Sequence, residues 1–362
     1  MDSFTLEKIE FDEIRRLLGN FCATSMGKSL AWSIVPSDRV DTVGLWIEQT
    51  SQMAQAIVDA GKLPFAGMTD ITESVVRAAP GGGACGEDYA KIASALRSAV
   101  CLGEHLRSLP PKLDVLARLA VRVEDFHHLA DAIDRVVASD GSVRDDASSK
   151  LKKIRQQTET TSRRIHDVMQ DYVRRPDVAK LLQSTNITVH GDRYVLAVKS
   201  ENRGRVQGVV HRASNTGATM FVEPSASVEL NNQLACLADD ERKEVQRLLS
   251  ELSFQIVAKA ERIMATMEVV ALIDLISAKA HYSLKYEMIR PEVASDGPLE
   301  IDQARHPLLI DQADGGPGTR AAQRQLEAVV PTDIRLGGEF DMLVITGSNT
   351  GGKTVTLKTT AK

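Results

Sequence analysis

Aromatic side chains are scarce in this sequence: only 4% of its 362 residues are Phe, Trp or Tyr. Sheet-rich sandwiches and barrels lean on aromatic and β-branched residues. That scarcity, beside plentiful Leu, Ala, Val, Glu and Arg, points to long helices instead. Cysteine is scarce as well. Cys22, Cys85, Cys101 and Cys236 stand far apart with no C-x-x-C. This spacing excludes a zinc ribbon and a disulfide framework, and reads as reduced thiols of a cytoplasmic protein. No apolar run approaches the roughly 20 residues of a membrane span, so no membrane partner is expected. The opening MDSFTLEKIEFDEI mixes acids among its apolar positions, unlike a secretory signal. Positive charge is not in excess either. The net charge is -5, so any nucleic-acid binding must come from a local basic patch. What remains is a globular chain, 43% hydrophobic and 26% charged, long enough for two or three domains.

Residues Phe4 to about Arg135 carry helical periodicity, with Leu6, Ile9, Ile14, Leu17 and Leu18 on one face of the first segment. Pro36-Ser37-Asp38 and Pro110-Pro111 interrupt it. Pro80-Gly-Gly-Gly-Ala-Cys-Gly86 resembles a phosphate loop in glycine content but lacks Lys-Ser/Thr at the required spacing, so it reads as a turn. His127 and His128 are adjacent, and adjacent residues do not share a helix face. They read as surface or core histidines rather than metal ligands.

Leu151, Ile154, Thr158, Thr161, Ile165, Val168 and Tyr172 then recur at alternating spacings of 3 and 4, a coiled-coil-like seam. A helix from Ser142 to Arg175 would be about 50 Å long. A second long helix is expected from about Ser227 to Ser283, with Leu230, Leu234, Leu237, Val245, Leu248, Leu252, Ile256, Ile263, Met267 and Val270 as its seam. Two such helices flanking a small insert should pair antiparallel as a stalk. The insert itself has strand-like runs, at Ile187–His190, Arg193–Lys199, Val206–His211 and Thr219–Val222. Gly191-Asp192, Asn202-Arg203-Gly204 and Asn215-Thr-Gly217 supply its turns. Its exposed positions include Arg193, Lys199, Arg203, Arg205, His211 and Arg212, the one local basic patch on this acidic chain. The charges suit contact with a phosphate backbone and equally suit solubilising an exposed sheet.

After Pro291 short apolar segments are punctuated by Gly-Pro and Gly-Gly pairs. A strand or hairpin edge is expected over Leu326–Ile334. Near the end, the apolar run Met342-Leu-Val-Ile345 should form a strand leading into Gly347-Ser-Asn-Thr-Gly-Gly-Lys-Thr354, which fits G-x-x-x-x-G-K-T. In such a loop the glycines let the backbone bend round a phosphate, and the N–H groups from about Asn349 to Thr354 point at its oxygens. Lys353 reaches the β/γ-phosphates, and the Thr354 hydroxyl holds Mg²⁺. The helix after Lys353 directs its positive end at the same place. The chain stops at Lys362, inside that helix, so a truncated P-loop domain is expected. Five segments follow from these signals: a helical core (1–141), an outgoing lever helix (142–185), a β clamp tip (186–225), a returning lever helix (226–290) and the start of a P-loop ATPase domain (291–362). The fold class is mainly α with an α/β C-terminal part.

In this order of elements four blocks resemble the MutS family of DNA-structure-binding ATPases. Ile345–Thr359 is similar to its phosphate loop, and Ala304-Arg-His-Pro-Leu308 to the block opening its ATPase domain. Val330-Pro-Thr-Asp-Ile334 is similar to a stretch that lies against adenine. Gly191–Lys199 and Gly217–Pro224, with Glu229-Leu-Asn-Asn232, resemble the second MutS subfamily, which lacks the mismatch-reading and connector domains. The resemblance covers essentially the whole chain. It implies a homodimer that closes round nucleic acid, with ATP and Mg²⁺ switching the clamp. The ligand would be branched or mismatched DNA, with suppression of recombination, or a ribosome and its rRNA. It assigns Gly347, Ser348, Asn349, Thr350, Gly351, Gly352, Lys353 and Thr354 to the nucleotide, with Lys353 and Thr354 catalytic. Val329 and Val330 would hold the adenine by aliphatic packing, where the mismatch-repair branch has an aromatic–aliphatic pair. Ser348 replaces the usual proline. Arg193, Lys199, Arg203, Arg205 and Arg212 would meet nucleic acid. The family's Mg²⁺-binding acid, trans-acting signature loop, switch histidine and endonuclease-like domain are missing from this stretch, as in a truncated gene product, an engineered fragment or an incomplete gene model. The complete protein would be an ATPase. By itself this stretch would hydrolyse poorly, and a non-catalytic dimerisation and nucleic-acid-binding module is the alternative. A small-molecule kinase fits less well, because no long coiled stalk precedes the phosphate loop in those enzymes.

Overall fold

A computed structural model describes the chain except residues 1, 215–216, 296, 312–328, 347–351 and 362. It is mostly helical and divides into two compact units. One comprises Met1–Val75, Lys91–Ala130 and Lys259–Lys362; the other comprises Val76–Ala90 and Asp131–Ala258. Among the described residues no helix is long and apolar enough to cross a membrane.

The first unit is built on one buried helix. Its early helices are α1 (Ser3–Lys8), α2 (Phe11–Gly19), α3 (Ser25–Ser33) and α4 (Val40–Ala60). Next in the chain come α5 (Thr72–Arg77), α6 (Gly86–Arg107), α7 (Asp114–Arg122) and α8 (His127–Val136), of which only α7 belongs wholly to this unit. The α2, α3, α4 and α7 helices pack on a later one, Ala260–Lys285. That helix is buried on nearly every side, through Ile263, Met267, Val270, Ile273 and Ile276, so it has no amphipathic stripe. One acid lies within it. Asp274 is almost fully buried and accepts hydrogen bonds from Ala23 N at 2.9 Å, Thr24 N at 2.8 Å and Thr24 Oγ1 at 2.7 Å. Thr24 in turn caps α3 by accepting from Gly27 N at 2.9 Å. Gly27 has to be glycine here, since a Cβ would land on the Asp274 carboxylate. Beside this junction, burial first and the Asp274 charge second push the Cys22 thiol up to about 12, so it is inert packing rather than a nucleophile.

The second unit is a helical hairpin carrying a sheet. Its outgoing helix, α9, spans Ser149–Arg174 and is capped by Ser148, whose Oγ accepts from Leu151 N at 3.0 Å. It ends well short of residue 185. Pro176 follows Arg175 and disfavours a helical backbone there, and one turn, α10 (Pro176–Ala179), leads into the sheet. The returning helix, α11, spans Ser225–Val257. The single helix expected from Ser227 to Ser283 is instead broken at Lys259, with α12 (Ala260–Lys285) beyond the break. Burial changes character at that point, from the stripe of α11 to the all-round burial of α12. The two hairpin helices run antiparallel. Arg155 Nε donates to Glu241 at 2.8 Å and Ser148 Oγ to Glu244 at 2.9 Å near one end, while Leu230 and Leu234 pack with Ile165 and Met169 near the other. The buried seam of α9 begins as expected with Leu151, Ile154, Thr161 and Ile165, then moves to Met169 and Val173 in place of Val168 and Tyr172. A straight helix of 3.6 residues per turn drifts relative to a strict 3.5 repeat, and the seam drifts with it.

Four strands form the sheet, in the order β1-β2-β4-β3 and all antiparallel: β1 (Leu182–His190), β2 (Arg193–Lys199), β3 (Gly208–Ala213) and β4 (Thr219–Pro224). Gly191 and Asp192, both at positive φ, make the two-residue turn between β1 and β2. The Pro80–Gly86 segment is a turn, as its composition suggested. It is held by Arg77 and Asp88, whose carboxylate also accepts from Cys85 N at 3.1 Å. In the first unit a second, two-stranded sheet pairs β5 (Leu299–Ala304) with β6 (Thr332–Leu336), which overlaps the hairpin edge expected over Leu326–Ile334. Two short helices complete that unit: α13 (Pro307–Asp311) and α14 (Lys353–Ala361). The expected strand Met342–Ile345 is not formed. Met342 is 78% exposed and Val344 72% exposed. A strand is fixed by ladder hydrogen bonds to a neighbour, and none of the described strands lies beside this one.

Glu244 is the charged centre of the α9–α11 pair, almost fully buried. It accepts from Arg247 Nη2 at 2.7 Å and Ser148 Oγ at 2.9 Å, with Lys150 Nζ at 3.3 Å. Chiefly through Arg247, its carboxyl is held down at about 2. A depressed folded pKa contributes stability above the unfolded value of about 4.3, and that contribution is lost as pH falls toward the folded value. Glu244→Gln should therefore cost on the order of 3 kcal/mol at pH 7. In urea titrations followed by circular dichroism, the gap to wild type should close between about pH 4.5 and pH 2. A gap of the same size at pH 7 and pH 2.5 would contradict this.

Candidate nucleic-acid interface and phosphate loop

At the far end of the hairpin the sheet is fastened to α11 by one buried carboxylate. Glu223, on β4, is 1% exposed. Its Oε1 accepts from Arg193 Nη1 and from Asn231 Nδ2, both at 2.9 Å, and its Oε2 lies 2.5 Å from His211 Nε2. Arg193 also donates from Nη2 to Asn232 Oδ1 at 2.8 Å. Asn231, itself fully buried on α11, accepts from Tyr194 N at 3.0 Å and donates to Tyr194 O at 3.1 Å. A helix side chain thus gives one residue of β2 both hydrogen bonds that a neighbouring strand would supply. A bulge in β3 between Val210 and Arg212 places His211 beside Glu223. Gly208, further along β3, runs so close to β4 that a Cβ would strike the Glu223 carbonyl. Beneath the sheet, Leu196, Val198 and Val222 pack with Ile165, Met169 and Val173 of α9.

The structure separates the five expected nucleic-acid residues. Arg193 neutralises Glu223 and joins the sheet to the helix. Arg203 and Arg205 are exposed in the turn after β2, Arg212 is exposed on β3, and Lys199 is half-buried at the end of β2. Among the described residues these four cations make no ion pair. Sequence reasoning did not single out Glu223, Asn231 and Asn232 as a network. The available signal was the recurrence of Glu223, Asn231, Asn232 and Arg193 in the blocks that carry the family resemblance.

Of the nucleotide residues, Gly347, Ser348, Asn349, Thr350 and Gly351 lie outside the described residues. Gly352 has φ +75° and α14 starts at the next residue, with Thr356 N donating to Gly352 O at 2.9 Å. Thr354 is exposed on the first turn, and Lys353 is half-buried. Thr354 and Val355 line a cavity of about 330 Å³ together with Glu10, Glu13, His306 and Lys358. Lys358 pairs with Glu10 at 2.6 Å, tying α14 to the start of α2. The lining of that cavity includes neither Val329, which is half-buried, nor Val330, which is 81% exposed. A glycine at positive φ, a lysine and an exposed threonine at a helix start fit a phosphate and its Mg²⁺.

No family model matches the chain. Curated relatives do. An endonuclease MutS2 of Geobacillus sp. (strain WCH70) is 37% identical over 362 residues, which is 99% of this chain and 44% of that protein. The endonuclease MutS2 of Geobacillus thermodenitrificans is 35% identical, again over 99% of this chain and 44% of the relative. That of Halalkalibacterium halodurans is 34% identical over 98% of this chain and 44% of the relative. The chain thus spans less than half the length of the relatives it matches, and over nearly all of its own length it corresponds to the N-terminal part of the second MutS subfamily.

Proposed function

We propose that this chain forms the nucleic-acid-holding arm and the first part of the nucleotide site of a MutS-type ATP-driven clamp. The observation that carries this reading is the division of labour at the tip. Arg193 is committed to a buried acid, while Lys199, Arg203, Arg205 and Arg212 make no ion pair among the described residues. Charge held on the sheet and on the turn after β2 without acidic partners suits a phosphate backbone, which it can position without reading sequence. The relatives' name, endonuclease, agrees with a nucleic-acid ligand. Branched or mismatched DNA is the first candidate. The alternative is ribosomal RNA on a ribosome, since both present phosphates to the same cations. Two copies of the complete protein would close round the ligand as a homodimer.

When bound, ATP·Mg²⁺ would supply the binding and hydrolysis energy that opens and closes the clamp. Lys353 would neutralise the β/γ-phosphates, Thr354 would present its hydroxyl to the metal, and Gly352 would let the backbone approach. Val329 and Val330 would cover the adenine. The long antiparallel helices α9 and α11 would act as the lever between nucleotide and tip. Hydrolysis in this family type also needs an acid that holds Mg²⁺, so turnover is a property proposed for the complete protein. A non-catalytic binding module is the reading that remains for the present chain if it binds nucleic acid but turns over no ATP.

Two outcomes test the proposal. Removing Lys199, Arg203, Arg205 and Arg212 together should weaken binding to a four-way DNA junction or to ribosomes. It should also flatten the salt dependence by about one unit per cation, or about four in all. Equal slopes for wild type and variant with both ligands would refute the tip assignment. Separately, Lys353→Ala in the complete protein should abolish ATP turnover, and wild-type turnover by that variant would refute the nucleotide assignment.

A further inference from the structure

One face of the tip sheet packs on the hairpin helices through Leu196, Val198 and Val222. The other face has a different composition. His190 pairs with Arg193, Ala197 with Phe221, Arg212 with Phe221, and Lys199 with Thr219. Directly paired residues share a face, and the side-chain period along a strand is two. His190, Arg193, Val195, Lys199, Arg212, Phe221 and Glu223 therefore all belong to the face opposite Leu196, Val198 and Val222, and at one end of it Arg193 and Glu223 bond α11. On it the rings of His190 and Phe221 lie 5.3 Å apart, centre to centre, and within 24° of parallel. Both rings are half-buried. Neither contributes to the apolar cluster under the sheet. Val195, on the same face, is fully buried.

We propose that this face is a stacking platform for an unpaired nucleotide. A base stacks on the Phe221–His190 rings, and Arg212 and Lys199 meet the flanking phosphates. This rests on the reading that the tip holds nucleic acid, and it adds the class of ligand: strands with unstacked bases, as at branch points, loops and ends. Charge complementarity selects the occupant. An apolar protein partner would bury Arg212 and Lys199 without acids, whereas a nucleotide brings both a π face and a negative charge. A duplex offers its bases only at the ends, so backbone cations alone would serve it equally well. The competing role for the two rings is simply to cover Val195.

The test compares the 362-residue chain on three labelled oligonucleotides of equal length and charge: oligo(dT), oligo(rU) and an abasic strand. Stacking predicts that a base-bearing strand binds about tenfold tighter than the abasic one. Phe221→Leu, which keeps an apolar cover over Val195, should bring that ratio close to one, and Phe221→Trp should restore it. Circular dichroism confirms the fold of each variant. Equal wild-type affinity for base-bearing and abasic strands overturns the platform while leaving the electrostatic tip reading standing. A ratio unaffected by Phe221→Leu also overturns it. Failure of every strand to bind overturns both readings. A tenfold preference seen with rU and not dT supports the platform and assigns it to RNA; the converse supports it and assigns it to DNA.

Discussion

A carboxylate denied water must be answered by cations and hydrogen-bond donors, or its burial costs several kcal/mol. Glu223 is so placed, and the donors that answer it come from β2, β3 and α11. Arg193, His211 and Asn231 lie far apart in the chain, so the acid is satisfied only when the sheet is correctly paired and seated on its helix. The network sets register as much as stability. A one-residue slip of β2 would turn Arg193 away from Glu223 and leave the acid uncompensated.

The same device recurs elsewhere in the chain. Glu244 gathers donors from the start of α9 and from its own helix α11. Asp274 closes the entry to α3 from α12, some 250 residues further along the chain. Asp88 shapes the glycine-rich turn before α6. Glu223, Glu244 and Asp274 sit where segments distant in sequence meet, whereas Asp88 closes a local turn, and each of the four is matched by backbone N–H groups, hydroxyls or a guanidinium. On a chain poor in aromatic residues, with few large rings to fill such joints, these polar contacts specify which segments meet. At the tip, the pairing of Arg193 keeps the sheet in place and leaves Arg203, Arg205 and Arg212 exposed beside it.

Much of this was legible in the sequence. Helical periodicity located α9 and α11, and Gly191-Asp192 located the β1–β2 turn, because local spacing and turn chemistry act over a few residues. Three features were not legible. The break at Lys259 carries no proline or glycine and reflects a change in surroundings rather than in propensity. The run Met342–Ile345 has the composition of a buried strand, but a strand forms only beside a partner. Arg193 reads as one more exposed cation because its acid, Glu223, is 30 residues away. In the candidate phosphate loop the motif was plain, and the structure adds the glycine conformation at Gly352 and the helix start at Lys353.

Native-state hydrogen exchange on wild type and Glu223→Ala tests the dependence of the tip on this one carboxylate most directly. Removing the acid leaves Arg193 without its partner. Exchange at the amides of β2, β4 and the first turns of α11 should then accelerate together, by at least about 100-fold (~3 kcal/mol), while the Leu248–Ile256 stretch of α11 stays protected. Unchanged protection of the Tyr194 amide in the variant, or acceleration spread evenly along α9 and α11, would contradict it.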